Sequence, residues 1–325
     1  MLYARLIAMR LFKAVIVLFL IIIFNFFLIQ MAPGDPAAIM AGEAGATDEQ
    51  FLMQLRERFG LDQPLYVQLW RYVSGVAMLD FGYSYRQQMP VLDLILARLP
   101  ATLLLTGTAF VLSLALGIAA GSLAAARVKK VSGSLIMALA LVFYATPLFW
   151  IALMAVVLFS VTLGWLPAYG MYTVGAGHTG FALVLDVAKH LVLPATTLGL
   201  FFMAVYTRMT RASMLEAAQQ DYVKTARAKG LKPGVIQRRH VLRNALLPII
   251  TLAGLQAGQM VGGAILTETV FAWPGIGRLM YEALQQRDYN LLLGIFFFSA
   301  ALVIVFNIIT DLVYRLADPR IKETS

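Results

Sequence analysis

Residues 221–248 read DYVKTARAKGLKPGVIQRRHVLRNALLP, and long apolar stretches flank this segment on both sides. It holds seven basic residues against a single acid, Asp221. Short positive segments between membrane spans stay on the cytoplasmic side. The residues before Gly230 favour a short helix that this glycine suits as a C-terminal cap, and Pro233 and Gly234 then turn the chain toward a second basic helix. The sequence therefore predicts a cytoplasmic helix–turn–helix suspended between two membrane spans.

The composition is that of an integral membrane protein. Sixty per cent of the 325 residues are hydrophobic and 13% are charged, and the mean hydropathy is +0.78. The net charge of +9 does not predict nucleic-acid binding, because the basic residues concentrate between the apolar runs. The chain has no cysteine and its three histidines are scattered, so we predict neither disulfides nor a metal site.

Six apolar runs are long enough to cross a bilayer as helices, which predicts an all-α integral membrane protein. They cover residues 14–31, 101–126, 135–161, 190–206, 248–270 and 291–313. The N-terminus, the 127–130 turn, the 208–247 loop and the tail hold three, three, nine and three basic residues. Six spans with both termini in the cytoplasm satisfy this distribution of positive charge.

The predicted organisation has four parts. Residues 1–31 hold the N-terminus and the first span, 32–98 a periplasmic helical segment, 99–314 a five-span core that includes the 208–247 loop, and 315–325 a cytoplasmic tail. Residues 35–98 carry eight acids against five bases, and apolar positions at helical spacing follow Pro64. We predict a small helical cap on the outer face, which either contacts another protein outside the membrane or is a passive structured loop.

Two features of the spans predict their packing. Ser113, Gly117, Gly121 and Ala125 recur at four-residue intervals in the second span. Such a stripe of small residues lets another helix approach closely, so packing is its predicted role. Pro147 is expected to bend the third span.

The sequence lacks the motifs of an ATP-binding or hydrolytic enzyme. It contains no G-x-x-x-x-G-K-[ST], no G-x-S-x-G and no H-E-x-x-H. The span interiors hold almost no ionisable residues, so we expect no buried carboxylates that relay protons or bind sodium. We predict no catalytic residue and no cofactor in this chain.

Several motifs carry a resemblance to a known family. They are DYVKTARAKGL and LRNALLP within 221–248, PGDP at 33–36, FGYS at 81–84, ETVFAWPGIG at 268–277 and DPR at 318–320. In this order they resemble the permeases of binding-protein-dependent ABC importers, more narrowly the dipeptide/oligopeptide/nickel branch. Lys224 and Thr225 depart from the general pattern E-A-A-x3-G-x9-I-x-L-P, in which Glu and Ala stand at their positions. The longer spacing from Gly230 to Pro248 is typical of the branch.

The resemblance implies the type I ABC importer permease fold, with six transmembrane helices in the cell inner membrane. It also implies partners, namely a second homologous permease subunit, two cytoplasmic ATPase subunits, a periplasmic solute-binding protein and membrane lipid. ATP and Mg are expected on the ATPase subunits alone, and no nucleic acid is expected as a partner.

The resemblance also implies an ATPase-coupling helix at residues 221–231. Its expected residues are Asp221, Tyr222, Thr225, Ala226, Arg227, Ala228, Lys229, Gly230 and Leu231. We expect the small Ala226 and Ala228 to allow close approach to the ATPase, with Arg227 and Lys229 flanking the contact. The alternative is a solvated basic loop that only fixes the topology.

A second candidate site follows the fifth span. We predict that Glu268, Trp273, Pro274 and Gly275 line the outer mouth of the pathway or brace its gate. A charged side chain near the membrane boundary is tolerated when it has an ion-pair partner or contacts water. The surroundings of Glu268 should therefore tell most about the role of these four residues. Simple turn-making is the alternative.

Small peptides are the cargo that the resemblance favours. Nickel or other metal chelates and glutathione stay open as alternatives, because nothing in the spans selects among them. The competing classes are an ion-driven secondary carrier and a membrane enzyme or scaffold with no transport role. The carrier would take up solute without ATP, and deletion of the scaffold would leave uptake unchanged.

Overall fold

The computed structural model describes residues 2–31, 49–59, 62–84 and 86–317, and these residues are mostly helical. The helices are α1 (Leu2–Gln30), α2 (Glu49–Phe59), α3 (Leu65–Ala77), α4 (Val91–Ala126), α5 (Val131–Ala145), α6 (Leu148–Ala155), α7 (Gly180–Ala217), α8 (Asp221–Ala228), α9 (Pro233–Val270), α10 (Ile276–Gln285) and α11 (Tyr289–Ala317). Strands β1 (Tyr83–Ser84) and β2 (Met89–Pro90) form an antiparallel hairpin. The PGDP and DPR motifs lie outside the described residues.

The apolar helices account for most of the predicted spans. Four described helices are long and apolar enough to cross a membrane, namely α4, α7, α9 and the Tyr289–Thr310 part of α11. A fifth crossing is the pair Val131–Ala145 and Leu148–Thr162, which is bent by 101°. The apolar part of α1, Phe12–Leu28, is shorter than these. The all-α membrane architecture is confirmed, and the crossing by α1 stays a prediction.

The predicted bend of the third span is confirmed at Pro147. Helix α5 ends at Ala145, and Thr146 has an extended backbone with φ −82° and ψ 133°. Proline disfavours helical geometry in the residue before it, so the helix stops there and α6 begins directly after Pro147.

Helices α7 and α9 are longer than the predicted spans. α7 continues past residue 206 to Ala217, and α9 begins at Pro233 rather than near Pro248. The predicted loop 208–247 is therefore helical over most of its length. Hydropathy marks only the apolar part of a helix, whereas its hydrogen bonds continue into polar sequence, and Pro248 is accommodated inside α9.

The chain divides into two compact units, and the first comprises residues 1–99 and 279–302. Here α1 packs on α3, where Phe26 stacks on Tyr72 with ring centroids 6.0 Å apart. The Ser84 hydroxyl in β1 donates a 2.5 Å hydrogen bond to the Asp288 carboxylate, and this joins the hairpin to the segment before α11. Tyr66 and Trp70 on α3 are exposed.

The second unit comprises residues 100–278 and 303–325, and α7 forms its core. The stripe of small residues on α4 packs against this helix. A side-chain carbon at Gly117 would clash with Tyr206, and one at Gly121 would lie 2.6 Å from the Thr207 carbonyl oxygen. These contacts support the predicted packing role, because only glycine leaves room for α7 at both positions.

Candidate functional site

Helix α8 and its C-terminal cap form the first candidate site. The Gly230 amide donates to the Arg227 carbonyl at 2.9 Å, and the Leu231 amide donates to the Ala226 carbonyl at 3.3 Å. This pair of bonds is the Schellman motif, in which the first of the two donor residues adopts a left-handed conformation. Gly230 supplies it with φ +75°, as the sequence predicts.

One face of α8 is buried against its own chain. Val223 and Ala226 are 0% and 4% exposed, and they belong to an apolar cluster with residues of α7 and α9. The other members of this cluster are Met214, Ala217, Ile236, Val241 and Ala245. Our expectation that Ala226 allows close approach to a partner therefore needs correction, because its side chain packs α8 onto other helices of the same chain.

The opposite face of α8 is open. Asp221, Tyr222, Thr225, Ala228 and Lys229 are all exposed. Lys224 pairs with Asp221 at 2.7 Å, but both side chains are solvated, so this ion pair contributes little stability. The open face carries the ring of Tyr222, the hydroxyl of Thr225 and the small side chain of Ala228, which is followed by the basic Lys229. It is the part of α8 that another protein can contact.

A change in helical winding follows α8. Residues Ile236–Leu242, at the start of α9, wind as a π-helix that includes Arg238, Arg239 and His240. Such wider turns are rare, and they occur often at functional sites. The basic segment predicted from the sequence is thus a short capped helix joined through residues 229–232 to the π-helical start of α9.

The second candidate site is the turn that follows α9. Glu268 is fully buried, and its Oε1 accepts a 2.7 Å hydrogen bond from the Thr102 hydroxyl. Its Oε2 accepts a 3.0 Å bond from the Arg278 amide. Burial of a carboxyl group is costly without such partners, and these two hydrogen bonds offset part of that cost for Glu268.

The backbone approaches Glu268 where the sequence has glycine. A side-chain carbon at Gly275 would clash with the Glu268 carboxylate, and one at Gly277 would lie 2.6 Å from the Ile265 Cα. Trp273 is fully buried, and its indole donates a 2.8 Å bond to the Ala101 carbonyl. Within this chain, Glu268, Trp273 and Gly275 form an interior brace between the start of α10 and the helix α4.

Sequence reasoning missed the partners of Glu268. Thr102 and Arg278 carry no motif that assigns them to this turn, and Thr102 is 166 residues away along the chain. It also missed the anchor of the loop before α7, where the Thr173 amide donates a 2.6 Å bond to Asp186. Neither pairing leaves a recognisable signal in the sequence, because each depends on how the folded chain brings the two segments together.

Helix α9 connects the two candidate sites. The π-helical turns lie at its start and Glu268 lies at its last turn. With 38 residues, this helix is on the order of 55 Å long. A displacement at the basic segment can therefore reach the Glu268 turn through one continuous helix.

The long apolar helices define a multi-pass membrane protein. One of them, α9, has a basic segment at its start and a buried carboxylate at its end. Two family models match the chain. Residues 117–323 match the inner membrane component of binding-protein-dependent transport systems, and residues 3–106 match the N-terminal part of such membrane components. The chain therefore belongs to the family of inner-membrane permease components of binding-protein-dependent ABC importers.

Relatives along the whole chain agree with this assignment. The di/tripeptide transport system permease protein DppB of Pseudomonas aeruginosa is 40% identical over 97% of this chain and 98% of its own length. The dipeptide transport system permease protein DppB of Escherichia coli is 40% identical over 93% of this chain and 94% of its own. The glutathione transport system permease protein GsiC of Escherichia coli is 38% identical over 96% of this chain and 97% of its own.

A solved structure supports the fold. A chain of the MetNI methionine ABC transporter, in an inward-facing conformation, superposes with a TM-score of 0.56. The match covers 69% of this chain and 96% of that chain at 18% sequence identity. The type I importer permease fold predicted from the motifs is thus consistent with a solved structure.

Proposed function

We propose that this chain is the permease subunit that carries small peptides across the inner membrane in an ATP-driven importer. The similarity to di/tripeptide and dipeptide permeases over nearly the full length carries the proposal. The similarity extends through both family models, so it includes the spans as well as the basic segment.

Coupling to ATP takes place at the open face of α8. Two cytoplasmic ATPase subunits bind ATP and Mg, and this chain supplies no ATP site of its own. Because Val223 and Ala226 pack α8 onto α7 and α9, a force on the open face moves these helices together with α8. A second homologous permease subunit completes the pathway, and a periplasmic binding protein delivers the solute.

The orientation places α8 in the cytoplasm and the Glu268 turn outside. The distribution of basic residues supports it, as do the lengths of the helices between the two sites. The chain has no cysteine, so single-cysteine variants report orientation cleanly. In intact spheroplasts, an impermeant thiol reagent should label Tyr172→Cys, whereas Lys229→Cys should react only after the membrane is opened. The reverse pattern contradicts the orientation.

Reconstitution tests the function directly. The chain is placed in proteoliposomes with its partner permease, its ATPases and its binding protein, and uptake of a labelled dipeptide is measured. Uptake should require ATP and every subunit, and ADP is the control. Uptake by this chain alone, or without ATP, contradicts the proposal and favours a secondary carrier.

Glutathione import is the second candidate function, because a glutathione permease is nearly as similar as the dipeptide permeases. The same proteoliposomes distinguish the two. Unlabelled dipeptide should compete with the labelled dipeptide, whereas glutathione should not. Uptake of glutathione in preference to the dipeptide assigns the second function. Nickel chelates enter the same competition as a third solute.

A further inference from the structure

A cavity of about 350 Å³ lies beside α8, where three membrane helices end or begin. Its walls come from the last residues of α4 and α7 and from the first turns of α9. Ala125, Met214, Ala218, Leu231 and Ile236 make most of this surface apolar, and Arg227 adds a cation. An apolar cavity with one cationic side chain suits an amphiphile that has an anionic group.

One wall of the cavity lies next to the turn between two membrane helices. Ala125 and Ala126 form part of its wall, and they directly precede the four-residue turn from α4 into α5. α5 belongs to the bent pair that is apolar enough to cross the membrane. A short turn between two membrane helices sits at the bilayer surface, so this wall of the cavity does too.

The charge around the cavity is positive. The turn after Ala126 holds Arg127, Lys129 and Lys130, and no acid interrupts it. Within the described part of the chain, Arg227 has no ion-pair partner, although it ends a helix that begins with Asp221. Basic pockets between transmembrane helices at this depth attract the headgroups of anionic lipids.

A buried donor on α7, about one helical turn from two of the lining residues, also lacks a partner. Among the described residues, the Nε of Arg211 is buried and makes no hydrogen bond. Arg211 lies three and four residues before Met214 and Leu215, so it shares their face of α7. Buried donors are almost always satisfied in native structures, and a phosphate oxygen is a fitting acceptor for an arginine.

We propose that this cavity binds an anionic phospholipid, with its phosphate beside Arg227 and the start of its acyl chains against the apolar wall. The bound lipid then sits between α8 and the ends of the membrane helices, where it stiffens the connection that transmits ATPase movement. The lipid site itself depends only on membership of the permease family, whereas its stiffening role rests on the proposed coupling at α8. Neither depends on which solute is carried.

The test measures lipid retention by the assembled transporter complex. Complexes are purified in mild detergent from membranes that contain phosphatidylglycerol, and bound phosphatidylglycerol is counted by native mass spectrometry. Arg227→Gln removes the cation, and Ala218→Leu fills the cavity without changing the charge. Each variant should hold phosphatidylglycerol about tenfold more weakly than the unmodified chain, as expected for loss of one charge-assisted contact or of the space itself.

Lys229→Gln is the matched control. It removes one positive charge from the same segment, but Lys229 does not line the cavity, so retention should stay at the level of the unmodified chain. Equal retention in all four complexes overturns the proposal. So does a photoreactive residue at Ala218 that cross-links to an ATPase subunit instead of lipid, because the cavity is then a protein contact.

Discussion

The hydroxyl of Thr102 donates a 2.7 Å hydrogen bond to Glu268 Oε1 and accepts a 2.8 Å bond from the Ile276 amide. One hydroxyl thus joins α4, the last turn of α9 and the start of α10. A threonine can donate and accept at the same time, which valine of the same shape cannot do. The buried carboxylate is therefore a structural anchor of the second unit as well as a candidate gate residue.

The first prediction concerns this anchor. Thr102→Val leaves the Glu268 carboxylate short of a donor and the Ile276 amide without an acceptor, both of them buried. We expect a loss of about 2–4 kcal/mol in stability, seen as a lower thermal-unfolding temperature of the purified complex. Thr102→Ser keeps the hydroxyl and should retain most of the stability.

Thr106→Val is the matched control for that prediction. Thr106 is also buried on α4, but its hydroxyl donates only to the carbonyls of Thr102 and Leu103 in its own helix. Loss of the Thr106 hydroxyl should lower the stability of the complex clearly less than loss of the Thr102 hydroxyl. Equal unfolding temperatures for Thr102→Val and Thr106→Val would remove the anchoring role.

The second prediction separates gate function from folding at the same turn. Glu268→Gln keeps the shape of the side chain but replaces one acceptor with an amide group, so it cannot satisfy both Thr102 and the Arg278 amide as the carboxylate does. We expect uptake of the labelled dipeptide to fall more than the amount of assembled complex. If uptake and the amount of assembled complex fall in parallel, the turn has a structural role and no role in gating.

Trp273 is best tested by a conservative substitution rather than by truncation to alanine. Its side chain is fully buried and packed in the main apolar cluster of the second unit. Trp273→Ala should lower the folding stability by about 3–5 kcal/mol and reduce expression. That loss would obscure any separate effect on gating. Trp273→Phe removes the 2.8 Å indole bond to Ala101 while keeping an aromatic ring, and uptake per assembled complex is the measurement.

Local features were predictable from the sequence because their causes are local. The cap at Gly230 follows from a glycine after a run of helix formers, and the bend at Pro147 follows from the restriction on the residue before proline. The buried face of α8 was not predicted: Val223 and Ala226 are three residues apart on one side of the helix, but whether that side meets its own chain or a partner depends on packing. The length of α7 and the partner of Glu268 were not predicted either, because both depend on packing between distant segments.

The third prediction concerns Gly230. Gly230→Val forces a β-branched residue to φ +75°, which costs on the order of 1–2 kcal/mol and weakens the cap of α8. ATPase stimulation by loaded binding protein should fall, while insertion of the permease stays intact. Gly234→Val is the control, because Gly234 has ordinary backbone geometry and open space around it. Equal stimulation in both variants would mean that the cap does not matter for coupling.

The last prediction uses the two faces of α8. Ala226→Asp places a carboxylate in the apolar cluster, so we expect loss of assembled complex as well as loss of coupling. Ala228→Asp places the same charge on the exposed face, outside the apolar cluster. Unfolding temperature should be unchanged in Ala228→Asp, and ATPase stimulation by loaded binding protein should fall, because the substitution alters only the surface offered to the ATPase. If stimulation and uptake remain at the level of the unmodified chain in Ala228→Asp, the open face of α8 is not the docking surface, and the coupling proposal fails.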